Sequence, residues 1–373
     1  MQRGSAVRMG MIGCGLIAQA HGLAARALAD RVRFTACTSR TAAGAGLWAS
    51  TFGIEPEHAY DNLDAMLDRE RLEAVVIATW PADHRRHIET CLEHGVRYIL
   101  CEKPLVTRAA DAYAVWTRAR DLDAVIMEGF MYRHHPALRQ VRDHVHGGGL
   151  GALDSIHATF HMPQASTPEG KSTSWRQQPE AGGGVPHDFL SYPVDAAGWL
   201  CGDLPLRAAA FGARSSHNGT VDRVYGLIEY AAGCVASVAS SRHAVFDQCL
   251  EIAAAKAHVR LPVAWTIVGD AEITESRSTG FITRSETHTR VAAQRPAERL
   301  IDLPVFASQL DNFLQVMSGS ATPAVPLRDS VVNAFVIDAL LQAIGEDRTV
   351  AVTLPADVAA TFSSNSGGHG DAV

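Results

Sequence analysis

The sequence predicts an α/β domain built on parallel strands, followed by an α+β domain whose sheet is mostly antiparallel. Over the first 130 residues, short β-branched apolar runs alternate with segments whose apolar positions recur every three or four residues. That alternation is the signature of βαβ units with helices on both faces of a parallel sheet. After residue 150 long alternating strands take over, and 373 residues suffice for about two domains.

In chain order the first-domain strands are VRMGMIG (7–13), RVRFTACTS (31–39), EAVVIAT (73–79), VRYILCE (96–102) and AVIMEGF (124–130). Helical periodicity fills the gaps in LIAQAHGLAARALA (16–29), DNLDAMLDRE (61–70), DHRRHIETCLEHG (83–95) and TRAADAYAVWTRARDL (107–122). The second half reads as strands in GALDSIHATFHM (151–162), VDRVYGLIEYAAGCVASVASSRH (221–243) and QCLEIAAAKAHVRL (248–261), with AAG (231–233) as a hairpin turn. One strong helix spans Pro186 to Leu200, and closing helices are expected near 304–318 and 327–344. The expected division is 1–130 for the first domain, 131–355 for the second and its closing helices, and 356–373 for a disordered tail.

Composition narrows the function. A net charge of −7 and a pI near 6.2 leave no electrostatic footprint for nucleic acid. No run of about 18 apolar residues marks a membrane span, and the N-terminus lacks the apolar core of a signal peptide. Seven cysteines, without any C-x-x-C pair, read as reduced thiols, so a soluble cytoplasmic protein is expected. Asp143-His144-Val145-His146 offers two imidazoles but no third ligand at recognisable spacing, so no metal is expected.

Two short stretches carry chemistry. Gly13-Cys14-Gly15-Leu16-Ile17-Ala18 follows the first strand and opens a helix, the context in which glycines let main-chain N–H groups approach a pyrophosphate. The second strand ends in Ser39-Arg40 with no acidic residue, which favours a 2′-phosphate and so NADP over NAD. The fourth strand runs directly into Glu102, Lys103 and Pro104. Carboxyl ends of parallel strands are where open α/β sheets bind ligands, and an ammonium there can steady a developing alkoxide.

Together GCGLIA (13–18), TWPADH (79–84), CEKPL (101–105), MEGFMYRHHP (127–136) and GGGVPHDFLSYPVDAAGWLCGDLP (182–205) resemble the glucose-fructose oxidoreductase/inositol dehydrogenase (Gfo/Idh/MocA) family, from about residue 7 to about 345. The resemblance implies a Rossmann domain joined to an open-faced sheet domain, with a nicotinamide at the junction and Lys103 as the catalytic lysine. Many members carry Asp, then His four residues on, then Asp three beyond; here those positions are Asp188, Tyr192 and Asp195. Tyr192 in place of histidine resembles the subgroup of glucose-fructose oxidoreductase and dihydrodiol dehydrogenases.

The implied catalytic set is Lys103, Tyr192 and Asp188. Tyr192 would exchange the proton, with Lys103 lowering the phenol's pKa. Gly13, Cys14, Gly15, Leu16, Ile17, Ser39, Arg40, Thr79, Trp80, Pro81, His84, Glu102, Lys103 and Arg176 would meet the cofactor. Tyr132, Arg133, Trp175, His187, Asp188, Tyr192 and Lys103 would meet substrate, His187 being an alternative proton donor.

The activity so implied is hydride transfer between NADP or NAD and a ring carbon of a sugar, nucleotide-sugar or cyclitol. A trans-dihydrodiol or dicarbonyl dehydrogenase and a non-catalytic dinucleotide-binding regulator are the alternatives. The alternating strands in 207–262 predict an apolar sheet face and a homodimer or homotetramer. One departure stands out: where the family often has G-x-x-G after a strand such as CLEI, this chain has Ala254 and Ala257, unfavourable if the turn needs positive φ.

Overall fold

In a computed structural model the described residues are 6–163, 174–278, 284–293, 297 and 299–363. The first sheet is made by β1 (Val7–Ile12), β2 (Val32–Thr38), β3 (Ala59–Tyr60), β4 (Ala74–Ile77), β5 (Tyr98–Cys101) and β6 (Val125–Glu128). Its order is β3-β2-β1-β4-β5-β6, and every pairing is parallel. The crossovers are α1 (Leu16–Ala27), α2 (Ala42–Phe52), α3 (Leu63–Arg69), α4 (Pro81–Glu93) and α5 (Ala109–Asp121). β4 and the cores of β1 and β5 are fully buried, as apolar strands between two helical layers must be. The strand order turns back between β1 and β4, which leaves a crevice beyond their carboxyl ends.

After α6 (Pro136–His146) come β7 (Leu153–His161), α7 (Ser191–Cys201), β8 (Pro205–Arg214), β9 (Val221–Tyr230), β10 (Val235–Ser241), β11 (Leu250–Ala254), β12 (His258–Leu261), β13 (Ala271–Ser278) and β14 (Arg284–Val291). Then follow α8 (Val305–Met317), α9 (Leu327–Glu346), β15 (Val350–Ala351) and α10 (Ala356–Ser363). Among the described residues the second sheet runs β14-β13-β12-β11-β7-β10-β9-β8-β15 and is antiparallel except between β7 and β10. The expected hairpin forms, with Glu229 opposite Val235 across the AAG turn.

One face of this sheet is covered. α9 lies so close to it that a Cβ at Gly226 would stand 2.5 Å from Leu340. The other face is open in the single chain, and Phe211, Tyr225, Leu227 and Val235 are exposed there. Among the described residues no helix is long and apolar enough to cross a membrane.

The closing helices also reach the first domain: Phe306 of α8 packs edge-on against His21 of α1, and Asp338 of α9 accepts from the Ala109 N–H at 2.8 Å. Two expectations need correction. Disorder does not begin at residue 356. Val358 of α10 is buried, and Asp357 accepts from Trp116 and Arg120 of α5 at 3.2 and 2.8 Å; the stretch 364–373 lies outside the described residues. Finally, Ala254 and Ala257 carry no strain. Ala255 and Lys256 make a tight turn closed by Ala254 N–H to Ala257 O at 3.0 Å, and the left-handed non-glycine positions among the described residues are Asp123 and Asp347.

Candidate active site

The crevice opens at the first βα turn. Gly13 has φ +92°, and a Cβ there would lie 2.7 Å from the Ala78 carbonyl, so only glycine fits. A Cβ on Gly15 would meet nothing within 4 Å, and no side chain caps α1. The first N–H groups of that helix therefore face open space, a cradle suited to a pyrophosphate. Leu16 and Ile17 line the same cavity, while the Cys14 thiol turns back to the Thr38 carbonyl at 3.5 Å.

At the end of β2 the Ser39 N–H is held by the Tyr60 carbonyl, and the exposed Arg40 guanidinium stacks 4.0 Å from the centre of the Trp80 ring. Thr79, Trp80 and Pro81 continue the wall. These residues fit a dinucleotide, with Arg40 free of any carboxylate contact among the described residues.

The cavity, about 690 Å³, ends at the carboxyl end of β5. There Lys103 Nζ donates to the Asp188 main-chain oxygen at 2.5 Å and lies 3.6 Å from its carboxylate. The same ammonium stands 4.8 Å from the centre of the Tyr192 ring, and Arg176 Nε donates to the other Asp188 oxygen at 2.7 Å. Burial lowers the Lys103 pKa, with Asp188 opposing the shift. Burial, Glu102 and Asp188 push the Tyr192 phenol up, contrary to the expectation that Lys103 would lower it, because the ammonium faces the ring and not the hydroxyl. Among the described residues the Tyr192 hydroxyl has no hydrogen-bond partner.

The local backbone explains the Lys103–Asp188 contact. Pro186–Leu190 is a π-helical turn before α7, not the regular helix expected. In that register the partner of the Asp188 carbonyl five residues on is Pro193, which has no N–H, and Lys103 takes the vacant acceptor. The signal was present in the sequence as a proline inside a helical pattern.

Four predicted residues are elsewhere. Tyr132 and Arg133 do not reach the cavity: Arg133 Nε and Nη2 grip Asp195 at 2.9 and 2.5 Å, its Nη1 reaches Asp329 at 2.8 Å, and the Tyr132 hydroxyl donates to Asp195. Both are buried at the joint between the domains, where a guanidinium and a phenol need partners within the protein. His187 lies against the main chain of Thr107 and Gly182, outside the cavity, and burial pushes its imidazole down to about 4. His84 is fully buried with Nδ1 at 2.8 Å from the Pro104 carbonyl and Nε2 at 3.2 Å from the Thr79 carbonyl, so it braces the loop after β5 and does not line the cavity. Trp175 lines the cavity.

The sequence reading missed His21. Its Nε2 lies 2.8 Å from Glu102, and since a carboxylate can only accept, Nε2 carries the proton; Nδ1 has no hydrogen-bond partner, as that tautomer allows. Glu128 also escaped notice: buried, it accepts from the Leu105 N–H at 2.7 Å. Phe160, Phe246, Gln248 and Thr266 complete the far wall. Spacing could not reveal them, because they come from separate elements of the second domain.

Residues 7–130 match the oxidoreductase family with an NAD-binding Rossmann fold, and residues 138–260 match the GFO/IDH/MocA C-terminal domain. A dTDP-3,4-didehydro-2,6-dideoxy-alpha-D-glucose 3-reductase of Actinomadura kijaniata is 35% identical over 196 residues, 52% of this chain and 56% of that protein. The chain thus spans little more than half the length of that relative. The enzyme of the same name from Streptomyces antibioticus is 30% identical over 260 residues, 70% of this chain and 76% of that protein. A levoglucosan dehydrogenase in complex with NADH and L-sorbose superimposes with a TM-score of 0.83 over 94% of this chain and 100% of that one, at 20% identity, a likeness of fold. Matched in both of its domains, the chain belongs to the Gfo/Idh/MocA family of oxidoreductases.

Proposed function

We propose that the protein is an NAD(P)-dependent oxidoreductase acting on a ring carbon of a sugar, nucleotide-sugar or cyclitol, with NADP as the preferred cofactor. The observation that carries this reading is the convergence of Lys103, Asp188 and the unpartnered Tyr192 hydroxyl in a cavity that begins at the open N-terminus of α1. When bound, the nicotinamide supplies or takes the hydride. Gly13 and Gly15 would let the chain approach its pyrophosphate, Arg40 and Trp80 would receive the adenosine end, and Glu102, fixed by His21, would hold its place in the cavity wall beside Lys103.

Tyr192 moves the proton. A phenol is protonated at neutral pH and can deliver its proton to the oxygen of a carbonyl being reduced or take it back from the alcohol; the burial that raises the Tyr192 pKa in the free protein works against that transfer, and Lys103 at the reacting oxygen offsets it. Lys103 donates to that oxygen as negative charge develops, and Asp188, tied to Lys103 and Arg176, holds the ammonium charged and in place. The relatives named 3-reductases support ketone reduction as the physiological direction.

The apolar sheet face bearing Phe211, Tyr225 and Leu227 supports a homodimer or homotetramer, and seven free thiols support a cytoplasmic location. An absorbance assay with NADPH or NADP against sugars, nucleotide-sugars, inositols, trans-diols and their ketones tests the proposal. Turnover with at least one class is expected; tight cofactor binding without turnover would point to a dinucleotide-binding regulator.

A further inference from the structure

Hydrogen-bonding capacity in the cavity is concentrated at one end. Lys103, Asp188, Arg176 and the Tyr192 hydroxyl gather at its floor. On the second-domain wall the polar pair is Gln248 and Thr266: Gln248 Oε1 accepts from the Thr266 N–H and hydroxyl, both at 2.9 Å, which leaves the Gln248 amide nitrogen as a single donor group among apolar side chains. The rest of that wall is Phe160, Met162, Phe189, Phe246 and Val268, rising from β7, the π turn and the loops after β10 and β12. Met162, Phe246 and Val268 are 39%, 51% and 45% exposed and form the rim. Among the described residues, no charged side chain of the second domain lines the cavity beyond Arg176 and Asp188.

A fully hydroxylated ring enclosed here would turn several hydroxyls toward carbon, and each buried polar group without a partner is costly. An apolar substituent on the same wall would instead remove both surfaces from water. Because floor and rim belong to one cavity, a single small molecule can touch both. Resting on the oxidoreductase reading above, we propose that the substrate is amphiphilic. It is a ring with adjacent oxygenated carbons at Lys103, Tyr192 and Arg176, and an aryl or alkyl group lying along Phe160, Phe246 and Val268.

Matched pairs test this. Binding to the full chain saturated with NADPH is measured by calorimetry for D-xylose against phenyl β-D-xylopyranoside. The same is done for trans-cyclohexane-1,2-diol against trans-1,2,3,4-tetrahydronaphthalene-1,2-diol, and turnover with NADP is followed in parallel. The aryl member of each pair should bind about tenfold tighter or more, the scale on which an apolar pocket rewards added carbon. In the double variant Phe246→Ser, Val268→Ser that ratio should fall to about twofold or less; both positions are partly exposed, so the fold should tolerate the change. Equal or weaker binding of the aryl members overturns the proposal, as does a preference that survives both substitutions. Tighter aryl binding without turnover of any of the four upholds the amphiphilic pocket, and absence of turnover across the wider panel as well would refute the oxidoreductase reading.

Discussion

Two buried polar clusters, seven residues apart along one helical segment, are built from nearly the same parts. At the cavity floor stand a cation, an aspartate and a tyrosine: Lys103, Asp188 and Tyr192. At the joint between the domains stand Arg133, Asp195 and Tyr132. The joint is closed. Asp195 receives the Arg133 fork, the Tyr132 hydroxyl and the Asn333 amide at 2.7 Å, and Arg133 Nη1 donates to Asp329 and the Ala324 carbonyl. The floor is open, with a hydroxyl that has no protein partner and an ammonium beside empty space. Saturated networks rigidify a fold, and unsaturated ones in a cavity are available to a ligand.

The contrast is broken most severely by removing the floor's proton donor. Tyr192→Phe deletes one oxygen, and turnover should fall about 10²–10⁴-fold, the usual worth of a general acid. Lys103→Ala should fall similarly, and the double variant should lose much less than the product of the two, as groups acting together do. Thermal unfolding of Tyr192→Phe should hardly move, since its hydroxyl has no partner among the described residues. Steady-state kinetics beside calorimetry check this, and a Tyr192→Phe enzyme of parent activity would remove the tyrosine from the mechanism.

The joint should answer the opposite way. Asp195→Asn strips Arg133 of its main counter-charge in a buried site, which costs roughly 3–5 kcal/mol. Urea unfolding should show the loss, while the folded fraction should keep its NADP affinity. A loss of cofactor binding with stability intact would mean that the joint belongs to the site.

A smaller effect is expected at the cofactor's far end. Arg40→Ala removes the exposed cation at the end of β2, and NADP should lose roughly 10- to 100-fold in affinity, the worth of a hydrogen bond to a charged group, while NAD changes little. Fluorescence titration with both nucleotides decides it, and equal parental affinities would refute the NADP preference.

A last effect appears only at high pH, at the buried Glu128. Burial pushes the Glu128 carboxyl up to about 8, so the fold prefers its neutral form. This contribution is complete below the unfolded value near 4.5 and is lost as pH rises through about 8. Glu128→Gln keeps an acceptor for the Leu105 N–H, and should raise the unfolding temperature at pH 9 relative to the parent while changing it little at pH 4. Parallel melting curves across that range would contradict the shift.

Much of this was legible in the chain itself. Periodicity revealed β1, β2, β4, β5 and β6 with α1, α3, α4 and α5, but not the two-residue β3 or the alanine- and glycine-rich α2; spacing revealed the Gly13–Ala18 turn, and the position of Glu102-Lys103-Pro104 at a strand's end marked the floor, because each depends on neighbours within a few residues. Which polar side chains meet a ligand and which are spent holding domains together depended on contacts across the chain. Lys103 meets Asp188 from 85 residues away, His21 meets Glu102 from 81, and Arg133 meets Asp329 from 196. Tyr132 and Tyr192 are equivalent as letters; one hydroxyl found Asp195 and the other found space, and only packing decides that. The return of α8 to α10 onto the first domain belongs to the same category, since an amphipathic helix declares that it has a face to bury but not which surface will bury it.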